Sequence, residues 1–160
     1  MSSEKPSNYV NTTAMDITYT AIQFLLFMLF IAFPSFYRFE LPQSVWIIGI
    51  IVAVLGFILF FTGVITLRKS LSLYPTPTQR APLITHGVYK YLRHPIYAGL
   101  LVFFLGISLM IGGLSKFIIL IALGILFYKK ATYEEECLKE KYPEYEVYQK
   151  NTGMFFPRKA

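Results

Sequence analysis

Charged residues are absent from two stretches of the chain, Ile17 to Phe33 and Val45 to Leu67, and a single lysine, Lys116, interrupts a third apolar run from Ile96 to Tyr128. At about 1.5 Å per helical residue the second stretch alone crosses a hydrocarbon core of roughly 30 Å, so the first two read as membrane helices. The third run is 33 residues long, too long for one untilted span, and carries IGGLSK at its middle. Gly112 and Gly113 tolerate the backbone angles of a tight turn, so this run folds back as a helical hairpin. Its second arm continues through KKATYEEECLKEKY, residues that favour helix, until Pro143 stops it. The pattern predicts an all-α integral membrane protein of about four transmembrane helices, at 17–33, 45–67, 96–111 and 114–141, ending in a cytoplasmic helical tail. A polar segment, 1–16, precedes them, and residues 1–160 read as a single membrane-embedded domain.

Composition agrees with that reading: 55% of residues are hydrophobic, 18% aromatic and only 15% charged, unlike an ordinary soluble domain. Charge then orients the helices. With four spans, the amino terminus, the loop from Arg68 to Pro95 and the carboxyl tail share one face, which holds 13 of the 15 Lys and Arg residues. Cytoplasmic loops carry such an excess, so that face is assigned to the cytoplasm and Arg38 and Lys116 to the opposite one. A cleaved signal peptide is the competing account of the first run. The acidic residues before it, and the lack of a small-residue cleavage site after Phe33, weigh against it.

Polar chemistry is concentrated in GVYKYLRHPIYAG, Gly87 to Gly99, at the cytoplasmic mouth, opposite Glu134, Glu135 and Glu136 near the end of the fourth helix. Ionisable residues beside a bilayer are expensive, so their convergence marks a candidate functional site. Plainer readings compete: Arg93 and Lys90 as contacts to lipid headgroups, and the glutamates as a solvated helix face pairing with Lys130, Lys139 and Lys141. Pro95 explains little alone, since proline commonly opens a helix.

Taken as an ordered set, GVY, then RHPIYAG, then EE with a leucine behind it, then the aromatic-rich YPEYEVY tail, resembles the isoprenylcysteine carboxyl methyltransferase and phospholipid methyltransferase superfamily. The resemblance covers about half of the chain, from Pro75 to Pro157; the first two helices match only in being apolar. It implies a membrane-embedded methyltransferase that uses S-adenosylmethionine without a Rossmann domain, and the chain indeed has no G-x-G-x-x-G motif. Gly87 and Tyr89 match the family's GxY, Arg93, His94 and Pro95 its RHP, and Tyr97 and Gly99 the YxG that follows. Glu134 and Glu135 match its acidic pair, with Glu136 an extra carboxylate. Leu83 and Ile84 lie in APLIT, the counterpart of a segment whose backbone lines the cofactor pocket. The implied cofactor-binding set is therefore Leu83, Ile84, Tyr89, Arg93, His94, Pro95, Tyr97, Glu134 and Glu135, with Arg93 and His94 as catalytic candidates and Lys130 as the nearest match to a substrate-contacting basic residue. Tyr142-Pro143 stands where relatives carry FG, with one residue fewer behind it, which leaves the register of the glutamate pair open by one position.

These residue types suit the implied cofactor. A carboxylate, Glu134 or Glu135, can accept from its amino group; Arg93 or His94 can donate to its carboxylate; Tyr89 or Tyr97 can wall the adenine or the sulfonium. Methyl transfer is an in-line displacement, so placement of the reactants should supply most of the acceleration. A base is required for an amine or thiol acceptor and not for a carboxylate, which is already ionised at neutral pH. The expected partners are the membrane and a lipid or lipophilic small-molecule acceptor, prenylcysteine-like carboxylate or phospholipid amine, with a small hydrophobic thiol as an alternative; no nucleic acid is expected. Rival classes are a nicotinamide-dependent membrane reductase and a non-enzymatic scaffold or transporter.

Other residues take plainer roles. His86, His94 and Cys137 fall short of a metal-binding set, so no metal is expected. Cys137 reads as a reduced cytoplasmic thiol. Gly49, Gly56 and Gly63, seven residues apart, read as a close helix contact, and Trp46 as an interfacial anchor.

Overall fold

The computed structural model describes residues 14–68 and 82–158. The expected polar segment up to residue 13, and Ala81 of APLIT, lie outside the described residues. Among the described residues five α-helices follow one another: α1 (Ala14–Ala32), α2 (Gln43–Leu67), α3 (Pro95–Ile111), α4 (Leu114–Lys141) and α5 (Tyr145–Asn151), with a 3₁₀ turn at Gly87–Lys90 before α3. Among the described residues there is no strand, only two isolated bridges. Helices α1, α2 and α3 start three, two and one residues before the predicted positions, and α4 covers the predicted 114–141. The short α5 was not foreseen.

Helix α3 packs on α2 and α4, and α4 packs on α1. Backbone contact between α2 and α3 is made possible by glycine on both sides. A Cβ on Gly56 would lie 2.3 Å from the Phe103 nitrogen, one on Gly99 2.5 Å from the Phe60 nitrogen, and one on Gly106 2.4 Å from the Ala53 nitrogen. The seven-residue glycine spacing of α2 thus meets a matching spacing in α3, as close packing of membrane helices requires. Gly112, in the left-handed conformation (φ 64°), ends α3 and turns the chain into α4.

Helices α1 and α4 run antiparallel with facing seven-residue repeats. The buried residues of α1 are Asp16, Gln23 and Phe30; α4 buries Lys116, Leu123 and Lys130 among others. At the hairpin end the Lys116 ammonium donates to the carbonyls of Phe30 and Phe33, satisfying orphan acceptors at the C-terminus of α1 and matching its negative dipole end. The α1–α2 connection is fastened to the same end, with the Phe39 N–H donating to the Gly112 carbonyl at 2.8 Å.

Both α1 and α2 are long and apolar enough to cross a membrane. Their large apolar side chains face outward, with Ile31 76%, Met28 62% and Leu55 57% exposed. A water-facing surface of that kind would be untenable over two whole helices, whereas hydrocarbon solvates it. Gln23 and Phe30 of α1 pack within the fold. The apolar part of α4 ends at Tyr128; at about 1.5 Å per residue its last 13 residues extend roughly 20 Å beyond.

Candidate active site

The motif between α2 and α3 is built as a short platform at the end opposite the hairpin turn. Residues 82–85, which include the half-buried Leu83 and Ile84, lead into the turn at Gly87, where φ is 60°. Tyr89 is buried, and its carbonyl accepts from the Tyr148 hydroxyl. Burial pushes that hydroxyl up to about 12, so it remains a donor at neutral pH. The chain then runs beside the tail: the Arg93 N–H donates to the Gly153 carbonyl at 2.8 Å and the His94 N–H to the Met154 carbonyl at 3.1 Å. Pro95 occupies the first turn of α3, where its missing N–H costs no hydrogen bond.

Side chains from α3, α4 and the tail converge above this platform. Arg93 donates from Nε to Glu135 Oε1 at 2.6 Å, and its Nη2 lies 3.4 Å from Oε2. Nη1 donates to the carbonyls of Gln149, at 3.0 Å, and Thr152. Glu135 also accepts from Gln149 Nε2 at 2.6 Å and lies 3.1 Å from His94 Nε2. Arg93 and Glu135 are 10% and 5% exposed, so this is an enclosed ion pair whose remaining lone pairs are satisfied. Glu135 sits two turns beyond Tyr128, outside the apolar run. Burial raises its pKa, but the hydrogen bonds from His94 and Arg93 prevail and hold it at about 2.

One residue earlier, a helical rotation of about 100° aims Glu134 at different neighbours. Its Oε2 accepts from the Tyr97 hydroxyl at 3.0 Å and lies 3.7 Å from His94 Nδ1. Its side chain keeps 28% exposure, against 5% for Glu135. His94 therefore bridges an open carboxylate and a closed one. The rings of His94, Tyr97 and Phe127 form a near-parallel column, with centroid separations of 5.5 and 5.0 Å. Lys130, 2% exposed, holds its ammonium 5.6 Å from the Tyr97 ring centroid and donates to Gln23 Oε1 at 2.7 Å.

The fold thus brings Arg93, His94, Tyr97, Lys130, Glu134 and Glu135 into one cluster, with Tyr89 and Pro95 in the platform beneath and Leu83 and Ile84 on the approach. The two glutamates, interchangeable in sequence, are distinct in space. Arg93, expected as a donor to a cofactor carboxylate, has Nε engaged by Glu135 and Nη1 by the carbonyls of Gln149 and Thr152. Sequence reasoning passed over Gln149, Tyr148 and Gln23. The first two sit in an aromatic-rich tail that had been read only as a motif; Gln23 was legible only as the one strongly polar side chain, seven residues from both Asp16 and Phe30, within an apolar helix.

The protein-family model described as phospholipid methyltransferase matches residues 45–145. A probable protein-S-isoprenylcysteine O-methyltransferase of Oryza sativa subsp. indica is 30% identical over 114 residues, 69% of this chain and 60% of that protein. Protein-S-isoprenylcysteine O-methyltransferase B of Arabidopsis thaliana is 32% identical over 114 residues, 66% of this chain and 58% of that protein. The chain therefore spans about three-fifths of the length of these curated relatives. Among solved structures, a eukaryotic intramembrane Ras methyltransferase, isoprenylcysteine carboxyl methyltransferase, superposes with a TM-score of 0.67 at 24% identity, covering 92% of this chain and 54% of that one. The likeness extends the shared fold beyond the matched residues to α1, and by the match over residues 45–145 the chain belongs to the phospholipid methyltransferase family.

Proposed function

We propose that the protein is an S-adenosylmethionine-dependent methyltransferase acting on the carboxylate of a lipophilic acceptor at the cytoplasmic face of a membrane it crosses with four helices. The observation that carries this reading is the half-buried Glu134 carboxylate at the Tyr97 hydroxyl together with the buried Lys130 ammonium 5.6 Å from the centroid of the same ring. The donor set fits the cofactor. Glu134 offers an anion to an amino group, and the half-buried Tyr97, stacked with His94 and Phe127, offers an aromatic wall. Leu83 and Ile84 supply half-buried backbone and side chain on the approach. When bound, S-adenosylmethionine supplies an electrophilic methyl group.

The chain's own residues divide the remaining work. Arg93 and Glu135 act as a clamp that fixes α4 against the tail, and Tyr89 and Pro95 hold the platform beneath. His94 orients Glu134. Lys130 attracts an anionic acceptor and repels a protonated amine, which favours a carboxylate over a phospholipid amine. A carboxylate needs no general base. The names of the relatives point to the same acceptor class. The four-span topology is supported by the shared end of Arg93, Glu135 and the tail, by the hairpin, and by the sequence pattern in which four spans leave 13 of the 15 basic residues in segments of one face.

Calorimetry of the purified chain with S-adenosylhomocysteine and with NADPH tests the cofactor class. Binding of the first and not the second is expected; the reverse supports a reductase, and binding of neither supports a scaffold or transporter.

A further inference from the structure

Helix α1 lies outside the residues that define the family match. In most respects it is a lipid-facing helix: of its 19 residues, only Asp16, Gln23 and Phe30 are buried. Two of those three are polar. A helix that had merely to span and pack would carry small or apolar residues on its buried stripe, because polar groups away from water are costly unless they meet partners. The partner of Gln23 is Lys130, whose ammonium donates to Gln23 Oε1 at 2.7 Å.

Lys130 stands two residues past the apolar run, and a free lysine there would extend its stem toward water at the mouth. Here it is held back over the Tyr97 ring and is 2% exposed. The group that Gln23 offers it is an uncharged amide. A glutamate at position 23 would retain the ammonium more strongly but neutralise it; glutamine fixes its position and leaves its charge effective. Burial works against the charge of this ammonium and pushes its pKa down, and the carboxylates of Glu134 and Asp16 oppose that. Tyr97, under the ammonium, is hydrogen-bonded to Glu134 at 3.0 Å. The position of Lys130 is thus coupled through one ring to the carboxylate assigned above to the cofactor.

We infer that Gln23 is a positioning residue for the acceptor: it holds the Lys130 ammonium over Tyr97 without cancelling its charge, and so makes α1 part of the acceptor half of the site. This rests on the reading of Lys130 as the contact for an anionic acceptor, and the two are separated by the choice of variants. Gln23→Glu, Gln23→Leu and Lys130→Met are made in the full chain. Each is assayed for thermal midpoint, S-adenosylhomocysteine binding, and KM and kcat with an S-prenylated cysteine analogue bearing a free carboxylate.

A purely structural contact makes stability and function move together. A positioning role makes them part company in Gln23→Glu. Its midpoint should equal or exceed that of the unsubstituted chain, since a buried ion pair replaces the hydrogen bond from ammonium to amide, while the acceptor KM rises about tenfold or more as the neutralised ammonium loses its hold on an anion. S-adenosylhomocysteine affinity should stay within about twofold, because Glu134 keeps its own partners. Gln23→Leu should raise KM and lower the midpoint.

An acceptor KM within about twofold in both folded Gln23 variants, the range of uncoupled changes, overturns the inference. If Lys130→Met also keeps its KM, or the unsubstituted chain does not bind the analogue, the parent reading of the acceptor fails as well. If Lys130→Met loses acceptor affinity and the Gln23 variants do not, only the role of Gln23 is lost.

Discussion

Glu134 and Glu135 provide a test in which one methylene-length shift along a helix separates stability from binding. Replacing Glu135 by Gln removes the anion from between Arg93, His94 and Gln149, groups it meets at 2.6, 3.1 and 2.6 Å. Breaking an enclosed ion pair by deleting one charge costs about 3–5 kcal/mol, because the other charge is left buried. Arg93 keeps its bonds to the carbonyls of Gln149 and Thr152, so the lower end, about 3 kcal/mol, is expected. For a chain of 160 residues this corresponds to a fall in midpoint of roughly 6–12 °C. Replacing Glu134 by Gln leaves an acceptor for the Tyr97 hydroxyl on a side chain that is 28% exposed, and about 0–1 kcal/mol is expected. Its effect should fall on binding: S-adenosylhomocysteine affinity should drop about tenfold or more through loss of the anion facing its amino group. Thermal unfolding in mild detergent and calorimetry on the same preparations give both quantities. A Glu134→Gln chain that is strongly destabilised, beside a Glu135→Gln chain that is stable and fails to bind, would refute the division of roles.

Three further outcomes follow from the geometry. Gly56→Ala puts a Cβ 2.3 Å from the Phe103 nitrogen and should cost about 1–3 kcal/mol by forcing α2 from α3. Gly124→Ala, whose nearest neighbour would be Leu101 Cδ2 at 3.9 Å, should be neutral or stabilising; equal costs in unfolding measurements would contradict the packing. Because Glu135 is held at about 2, below the ordinary glutamate value of 4.5, its contribution to stability is present above that ordinary value and is lost as pH falls toward its folded value. The midpoint difference between the unsubstituted chain and Glu135→Gln should therefore shrink below about pH 4.5, and a difference that grows with acidity would reverse the sign. Topology is read by cysteine labelling in a Cys137→Ser background. Tyr37→Cys and Val147→Cys, both exposed at opposite ends of the bundle, should react from opposite sides of the membrane, and reaction from one side would break the four-span arrangement.

The four long helices could be read because a bilayer imposes long uncharged runs, and Gly112-Gly113 marked the turn between the last two. The glycine repeat of α2 likewise announced the α2–α3 contact, since few other roles suit that spacing. The register of the glutamates was not legible. Two identical neighbours differ only in helical rotation, and that rotation is fixed by Arg93 and Tyr97 on another helix. The return of the tail was hidden for a related reason. Helix α5 is seven residues long with no apolar periodicity; what anchors it is the burial of Tyr145, 1% exposed, and the donation of Arg93 to the Gln149 carbonyl. Gln23 showed how a single polar residue in an apolar run, easily taken as tolerated, acquires meaning once the seven-residue stripe that contains it meets a lysine.

Transfer of labelled methyl from S-adenosylmethionine to an S-prenylated cysteine carboxylate bears most directly on the central claim, with phosphatidylethanolamine and a small hydrophobic thiol run in parallel. The account predicts label in the carboxylate acceptor alone, released as methanol by mild alkali because the product is an ester. Label that resists alkali and travels with the phospholipid or the thiol would contradict it.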